Sequence, residues 1–599
     1  MGIDADRRSR LVDLRNELTE LRAEAIAAEA SAKELIAAVD PAHRESAANV
    51  VHYRAVRSRD LRDLQPRLSA EGLSSLGRME SGVLANLDSV IRIINDALGE
   101  AEPDLEEGEI DWGGGKEALA LNAAALLGGE PDDRSTRIMV TMPSTATTDT
   151  EFVERCAAVG MDLARINCAH DGPDEWRAMA ANVRAANAKV RIAMDLAGPK
   201  LRTGPIAPGP QVVKFRPTRD QVGTVRVPAR FWLGQAPART DVTEQAPVTD
   251  PGWIAARNVG DIVTLDDTRG RFRELRVLQV ASTGVLVAGD RTVYLTPGTT
   301  VWCDDEQTAI GELPAVAQSL RVFRGDTITL TADMAPAIPT DDGRHRIGCS
   351  LPEVFGAIEV GHRVYFDDGK IESVVTRVEP DTVVVGVTRA ALNGTKLKAE
   401  KGINLPDTAL PMPALTDEDI DALGSVVDLA DMVNLSFVRG PEDVADLQRR
   451  LDNRAASDLG VVIKIETVAG FSALPETLLQ LMRTRRIGVM IARGDLAVEA
   501  GFERLAEVQE EILWLCEAAH VPVIWATEVL DSLADRGLPT RAEVTDAAAG
   551  ERAECVMLNK GPHIVEAIEA LTDILARMKG HIDKKRPLLK RLGAWDSGL

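Results

Sequence analysis

Residues 461–466 read VVIKIE, 487–492 read IGVMIA, 521–526 read VPVIWA and 554–559 read ECVMLN. Each is a short apolar run, and an amphipathic stretch of helical length separates it from the next. Strands of this kind fit a parallel sheet covered on both faces, because a strand with one wet face would alternate apolar and polar residues. Four more such runs lie upstream: RIMVTM (137–142), LARIN (163–167), VRIAMD (190–195) and DMVNLS (431–436). Eight strand–helix units predict an α/β chain built as a closed (β/α)8 TIM barrel.

Between the third and fourth runs lies a long interruption, 205–400, rich in Val, Thr, Gly and Pro and poor in helical periodicity. It predicts an inserted all-β domain after strand three. Within it VGDIVTLDD (259–267) and VGHRVYFDD (360–368) read as one unit used twice, with RGDTITLT (324–331) as a fainter third copy. Upstream of the barrel, Leu11, Leu14, Leu18 and Leu21 follow 3-4-3 spacing, and Val83, Leu84, Leu87, Val90, Ile91 and Ile94 mark a second helical face. The expected organisation is a helical extension with a Gly-rich acidic linker (1–115), barrel (134–204), β insertion (205–400), barrel (401–580) and a basic tail (581–599).

The chain has 599 residues with 45% hydrophobic, 27% charged and only 4% aromatic content, so several domains with aliphatic cores are expected. The formal net charge of -24 disfavours nucleic acid as a partner, since phosphate backbones attract basic surfaces. Six scattered cysteines form no CxxC pair and read as reduced, mostly buried thiols. The N-terminus MGIDADRRSR has no apolar stretch of signal-peptide type, and no apolar run is long enough to span a bilayer. The cytoplasm is the expected compartment, with no membrane partner.

In a TIM barrel the chemistry comes from the C-terminal ends of the strands. Run two ends in Arg165 and Asn167, and run three in Asp195, followed by GPKLRTG (198–204). Run four gives Ser436 and Arg439. Run five places Lys464 and Glu466 two apart, so both point into the barrel mouth. Run six leads into ARGD and Asp495, and run seven into Thr527. Glu466 and Asp495 on neighbouring strands suit Mg²⁺ (or Mn²⁺), which takes one or two carboxylates and completes its shell with water and substrate oxygens. Lys464 is costly to bury alone but not beside two carboxylates. Arg165 offers a planar donor fork for phosphate or carboxylate, and the backbone at Gly494 can receive an anion. Taken singly, Lys464 with Glu466 and Asp495 is better read as a structural ion pair, and Arg165 is open to reading as a loop brace. Their gathering at one rim points to stabilisation of phosphoryl or enolate charge.

In this order along the chain, RINCAH (165–170), MDLAGPKLRTG (194–204), VYFDDG (364–369), KGINLP (401–406), LSFVRGPEDV (435–444), KIET (464–467), ARGDLAVE (492–499), ATEVLDSL (526–533) and PTRAE (539–543) resemble the motifs of the pyruvate kinase family. The resemblance implies a mobile β lid inserted after strand three. It also implies transfer of a phosphoryl group from phosphoenolpyruvate to ADP, in a homo-oligomer. It gives Lys464 the moving phosphoryl and the enolate, Glu466 and Asp495 the Mg²⁺, and Arg165 the substrate phosphate. Gly494, Asp495 and Thr527 would bind substrate, with Thr527 near the path of proton delivery. His170 and Arg202 would face the nucleotide phosphates, and Asn167 and Asp195 lie where the family coordinates K⁺.

Several positions depart from that pattern. Ala169 replaces a serine that binds K⁺ in the family, and GPKLRTG carries Lys200 where K⁺-requiring members carry Glu. A fixed ammonium at Lys200 would substitute for the cation, so K⁺ is not expected to be required. The strand-eight motif is MLNKGP, with Asn559, Lys560 and Gly561 in place of the family's SGE, and Glu528 stands where the family has Gln. TMPSTA (141–146) is a reduced form of the family's TIGPAS. The family's C-terminal regulatory domain is not expected, because about twenty residues follow the last barrel helix. Two other readings compete: a catalytically silent relative that binds phosphometabolites, and a Mg-enolate carbon–carbon lyase.

Overall fold

The computed structural model of the chain describes residues 4–100, 110–235, 242, 244–583 and 586–587. The eight apolar runs form β1 (Arg137–Thr141), β2 (Leu163–Asn167), β3 (Arg191–Asp195), β4 (Met432–Leu435), β5 (Gly460–Ile465), β6 (Ile487–Ala492), β7 (Val523–Ala526) and β8 (Cys555–Leu558). All pair in parallel in chain order, and β8 returns to β1 with Cys555 opposite Arg137, which closes the barrel. The expected (β/α)8 fold is the one observed.

The barrel interior is layered. Met139, Leu163, Ala193, Met432, Val462, Met490 and Ile524 belong to one buried apolar cluster. Two residues further along β1 to β5 stand Thr141, Arg165, Asp195, Asn434 and Lys464. Alternation along each strand returns side chains to the same face every second residue, so a polar layer stands directly above an apolar one.

The floor beneath the apolar layer comes from the N-terminal extension. Its main helices are α1 (Ala5–Ser31), α2 (Arg44–Arg57), α3 (Val83–Leu98) and α4 (Trp112–Leu127). The leucines of the 3-4-3 pattern, Leu11, Leu14, Leu18 and Leu21, are all buried on α1. Leu126 and Leu127 at the end of α4 join the barrel's apolar cluster. Leu126 packs so closely on Gly460 and Gly488, at the starts of β5 and β6, that a Cβ at either glycine would lie 2.6 Å from one of its methyls.

The Gly-rich segment departs from the expected linker. Residues 101–109 lie outside the described residues, but Gly113, Gly114 and Gly115 form the first turn of α4. Asp111 caps that turn by accepting the Gly114 N–H at 2.6 Å. Gly115 is required for packing: a Cβ there would fall 1.8 Å from the Ser81 carbonyl oxygen and 2.8 Å from His520 Nε2. The glycines thus admit a close backbone approach rather than supplying slack.

Three further helices carry or back the barrel rim: α5 (Val468–Ser472), α6 (Arg493–Ala500) and α7 (Leu505–Ala518). Buried Asn49 on α2 stitches the extension to α7. Its amide donates to Glu80 O at 2.7 Å and Ala518 O at 2.8 Å, and its oxygen accepts the Val83 N–H at 2.8 Å. His520 follows α7 and donates from Nε2 to Ser81 O at 3.1 Å, so its Nδ1 accepts from Ser46 Oγ at 2.9 Å.

Residues 202–350 and 381–401 form a second compact unit, and residues 351–380 group with the barrel. The 205–400 insertion is therefore divided between two compact units. Part of the second unit has its own core around Phe215, Phe231, Trp253 and Leu313, with a seven-stranded sheet whose edge strands are Gln245–Ala246 and Glu306–Ala309. The three similar segments share one backbone device. Gly260, Gly361 and Gly325, all at positive φ, donate N–H to the carbonyls of Val277, Val375 and Val387. Each valine N–H returns a bond to the next residue's carbonyl, on Asp261, His362 and Asp326 respectively. Of the expected basic tail, Ile582–Asp583 and Arg586–Pro587 pair as two short strands; its remaining interior and its end lie outside the described residues.

Burial pushes the His520 imidazole down to about 4, and burial likewise lowers His43 and His52. Free histidine titrates near ~6.5. Between ~6.5 and about 4 the unfolded chain therefore binds a proton that folded His520 refuses. Stability from this group is complete above ~6.5 and falls as pH drops toward the folded value, by on the order of 3 kcal/mol in all. Urea midpoints measured across that window should fall more steeply for the wild type than for His520→Gln; parallel slopes would contradict this account.

Candidate active site

The polar layer of the barrel is built around one carboxylate. Asp195, at the end of β3, is buried. Its Oδ2 accepts Arg165 Nη2 at 2.7 Å and Nε at 2.9 Å, and lies 3.4 Å from Lys464 Nζ. Its Oδ1 accepts from the Asn434 amide. Arg165 Nη1 also donates to Thr141 Oγ1 at 3.0 Å. Lys464 Nζ donates to Ser436 Oγ at 2.8 Å and lies 3.0 Å from Glu466 Oε1. Neighbouring strands hold these groups at matched heights, with Asp195 opposite both Asn167 and Asn434.

Burial by itself pushes Arg165 and Lys464 down, but the charges of Asp195 and Glu466 outweigh it and hold both above their ordinary values. Burial pushes Asp195 up, and Arg165 with Lys464 reverses that and holds it below the usual carboxylate range. Glu466 goes the other way. Burial raises it and Asp495 adds to the rise, against the lowering by Lys464. The site thus contains two acidic groups whose charges oppose each other.

Glu466 Oε2 also accepts the Phe437 N–H at 2.6 Å, from a residue held at φ 54°. Asp495 lies in the first turn of α6. Before it, the Gly494 N–H donates to Thr527 Oγ1 at 2.7 Å. Thr527, Glu528 and Leu530 all take positive φ, at 67°, 58° and 49°. Such left-handed positions cost roughly 1–3 kcal/mol each in non-glycine residues. The loop is pinned by buried Val529 and Leu530, and by Arg493, which donates to the carbonyls of Ala526 and Thr527, pairs with Asp546 and lies 4.7 Å over the Trp525 ring.

Lys200 departs from its expected place. Its ammonium is 3.0 Å from both oxygens of Asp495, and it stands over the Phe437 ring at 5.9 Å. It does not join Asn167 and Asp195 as a substitute cation. The reason is electrostatic: Arg165, Lys464 and Asn434 already satisfy Asp195, whereas Asp495 has a carboxylate to offer. Asn167 Oδ1 instead accepts the Ala169 N–H at 3.1 Å. His170 is exposed, and its carbonyl accepts Trp176 Nε1 at 2.9 Å. Arg202 belongs to the second unit, where it donates to Glu400 O at 3.2 Å. The site therefore joins Arg165, Asp195, Lys464, Glu466, Asp495, Gly494, Thr527 and Lys200, and leaves His170 outside this bonded set.

Beside Lys200 and Asp495 a cavity of about 630 Å³ opens, with Phe437, Thr467, Asn404 and Glu499 on its wall. Burial pushes Glu499 up to about 7; Asn404, donating at 3.4 Å, opposes this and Asp495 adds to it. Among the described residues no group of three or more His, Cys, Asp or Glu converges as a metal cage. An ion held by Glu466 and Asp495 would have to complete its shell with water and substrate oxygens, which is the habit of Mg²⁺. The all-oxygen donor pair and the mutual repulsion that raises Glu466 both fit such an ion.

The profile described as pyruvate kinase, barrel domain, matches residues 307–563, the span that carries β4 to β8 with Lys464, Glu466, Asp495 and Thr527. Residues 307–563 are thus similar to the barrel domain of the pyruvate kinase family. A pyruvate kinase of Methylorubrum extorquens is 35% identical over 262 residues, 43% of this chain and 51% of that protein. Human pyruvate kinase PKLR is 32% identical over 257 residues, 42% of this chain and 43% of that protein. The Mycobacterium intracellulare pyruvate kinase is 32% identical over 272 residues, covering 44% and 54%. The chain thus spans about half the length of the curated relatives it matches.

Relative to the pyruvate kinase pattern, the altered strand-eight loop finds a local partner: Asn559 donates to Asp531 Oδ1 at 3.3 Å, and Lys560 is exposed. Sequence reasoning left Thr141 and Asn434 out of the site. Both were visible as polar residues inside apolar runs, Asn434 two before Ser436 and so on the same strand face. No helix of the described residues is long and apolar enough to cross a membrane.

Removing Asp195 leaves two buried cations short of their shared partner. Asp195→Ala should lower stability by about 3–5 kcal/mol, and Asp195→Asn by less. Urea denaturation distinguishes these outcomes, and an unchanged midpoint for the alanine variant would refute the central role of this carboxylate.

Proposed function

We propose that the chain is a pyruvate kinase, moving a phosphoryl group from phosphoenolpyruvate to ADP to give pyruvate and ATP. The observation that carries this reading is the Lys464 ammonium, buried 3.0 Å from Glu466 and 2.8 Å from Ser436 Oγ, with the Asp495 carboxylate on the next strand unit. The barrel-domain match over these residues supports it.

In this reading the bond between phosphorus and the enol oxygen breaks, a terminal phosphate oxygen of ADP takes the phosphorus, and the enolate collects a proton at its methylene carbon. Negative charge moves through the site unchanged in total during the phosphoryl transfer and falls by one when the enolate takes its proton. The task of the protein is to hold cations and dipoles where that charge passes. Lys464 stays charged, because its carboxylate neighbours hold its titration above the ordinary value, so it supplies a fixed positive centre. Arg165 is aimed by Asp195 and Thr141, which limits its rotation and presents its planar fork. Glu466 and Asp495 would hold Mg²⁺, whose charge supports the phosphoryl and enolate oxygens. The strained Thr527 loop sets a hydroxyl beside Gly494, suited to orient a carboxylate and to stand near proton delivery. Lys200 keeps one further positive charge at Asp495.

A coupled assay of pyruvate formation from phosphoenolpyruvate and ADP tests the proposal. The wild type should turn over with Mg²⁺, and Lys464→Met should lose about 10³-fold in kcat. Absence of turnover with retained binding of phosphoenolpyruvate would establish a silent relative instead. Pyruvate release from an aldol substrate without nucleotide would establish a lyase.

The Asp195 region has no spare negative charge for a monovalent ion, because two basic side chains and Asn434 occupy it. Replacing K⁺ by tetramethylammonium should therefore leave the rate within about twofold, on the scale of ordinary ionic-strength effects. Activity that appears only with K⁺ would show that this charge accounting is wrong.

A further inference from the structure

The two carboxylates proposed to hold the divalent ion differ in how they are already engaged. Glu466 has the Lys464 ammonium 3.0 Å from Oε1 and accepts the Phe437 N–H at 2.6 Å on Oε2. Asp495, in the first turn of α6, has one partner among the described residues. That partner is the Lys200 ammonium, 3.0 Å from each carboxylate oxygen. Contact with both oxygens sets the ammonium across the open edge of the carboxylate. A metal ion bound by Asp495 needs an oxygen from that same edge. Lys200 and a divalent ion therefore have claims on the same atoms.

The two lysines of the mouth are held very differently. The Lys464 side chain is 11% exposed, and its ammonium is shared by Ser436, Glu466 and Asp195. It cannot leave without stranding buried charge. The Lys200 side chain is 28% exposed, and Asp495 is its only ionic or hydrogen-bonding partner among the described residues. Its other neighbour is the Phe437 ring, 5.9 Å away. Lys200 and Asp495 both line the 630 Å³ cavity, so the ammonium can withdraw into open space instead of the core. The mouth thus contains one fixed cation and one removable cation.

We propose that Lys200 is a built-in competitor for the divalent metal, an ammonium that neutralises Asp495 at rest and must give up that carboxylate for the ion to bind. The inference rests on the assignment of Glu466 and Asp495 as the metal-holding pair, and it needs no particular reaction. Lys200 then sets how tightly the divalent ion is held, because each binding event breaks one ion pair. It also explains how two mutually repelling carboxylates coexist: Glu466 feels the charge of Asp495, and an ammonium on Asp495 offsets part of it. Exchange of one cation for another preserves that offset throughout.

Mn²⁺ binding to the full chain without substrate, read from the electron paramagnetic resonance of the free ion at fixed ionic strength, tests the proposal. Lys200→Met should bind Mn²⁺ about fivefold to tenfold more tightly than the wild type, the scale of one partly buried ion pair. Lys200→Arg keeps a cation for Asp495 and should stay within about twofold of the wild type. Asp495→Asn should weaken binding in either background. A second readout needs no variant: acetylation of Lys200 by acetic anhydride, followed by peptide mass spectrometry. Labelling of Lys200 should rise several-fold along the Mn²⁺ binding curve, while that of the exposed Lys560 stays constant. Simple repulsion between Lys200 and the ion, with Asp495 never released, would leave the Lys200 labelling unchanged and would overturn the proposal. Equal or weaker Mn²⁺ binding by Lys200→Met, with Asp495→Asn still weakening it, would overturn the proposal alone. Mn²⁺ binding indifferent to Asp495→Asn would overturn it together with the metal assignment.

Discussion

The buried carboxylate of Asp195 is the constraint on which the barrel mouth depends. Two cations, Arg165 and Lys464, stand inside a closed sheet whose walls are aliphatic. Neither could remain charged there without compensation, since an isolated buried ion is displaced toward its neutral form. Asp195 serves both, and Asn434 satisfies its other oxygen. Glu466 completes the neutralisation of Lys464 but is itself raised by burial and by Asp495. One acid is thus fully used in holding the cations, while another is kept under electrostatic tension beside Asp495. That division separates the structural role of Asp195 from the ligand-holding role open to Glu466 and Asp495.

Charge of this density needs a dry and rigid base, and the N-terminal extension contributes to it. Leu126 and Leu127 enter the barrel from its N-terminal end and complete the apolar layer beneath the polar one. Gly460 and Gly488 lack side chains where Leu126 arrives, so the plug and the strands are fitted to each other. The extension is in turn fixed to α7 by Asn49, Ser81 and His520, all buried and hydrogen-bonded. Buried polar groups tolerate little displacement when each has a partner, because moving one strands the others. The extension is accordingly part of the barrel's own core.

Lys200 and the Thr527 loop illustrate how local chemistry follows from competition between partners. The ammonium of Lys200 goes to Asp495, a carboxylate with no other ion pair among the described residues. The positive-φ residues from 527 to 530 are tolerated because Val529 and Leu530 are buried and Arg493 clamps the carbonyls around them. Strain of this kind persists only where surrounding contacts over-determine the backbone.

Much of this was legible in the sequence for one physical reason: strands and helices impose fixed repeats on the side chains that must be buried. The eight apolar runs announced the barrel, KIE and ARGD announced charges at strand ends, and the leucine spacing of α1 announced its buried face. Those are local consequences of residue order, and local order survives folding. What the order could not contain was partner choice. Lys200 chose Asp495 over Asp195, Gly113–Gly115 became the first turn of a helix under a carbonyl, and residues 351–380 joined the barrel instead of the second unit. Each outcome depends on which distant groups come within short range and what they are already bonded to. Coulomb attraction and steric exclusion act through space, so they are decided only when the chain has closed.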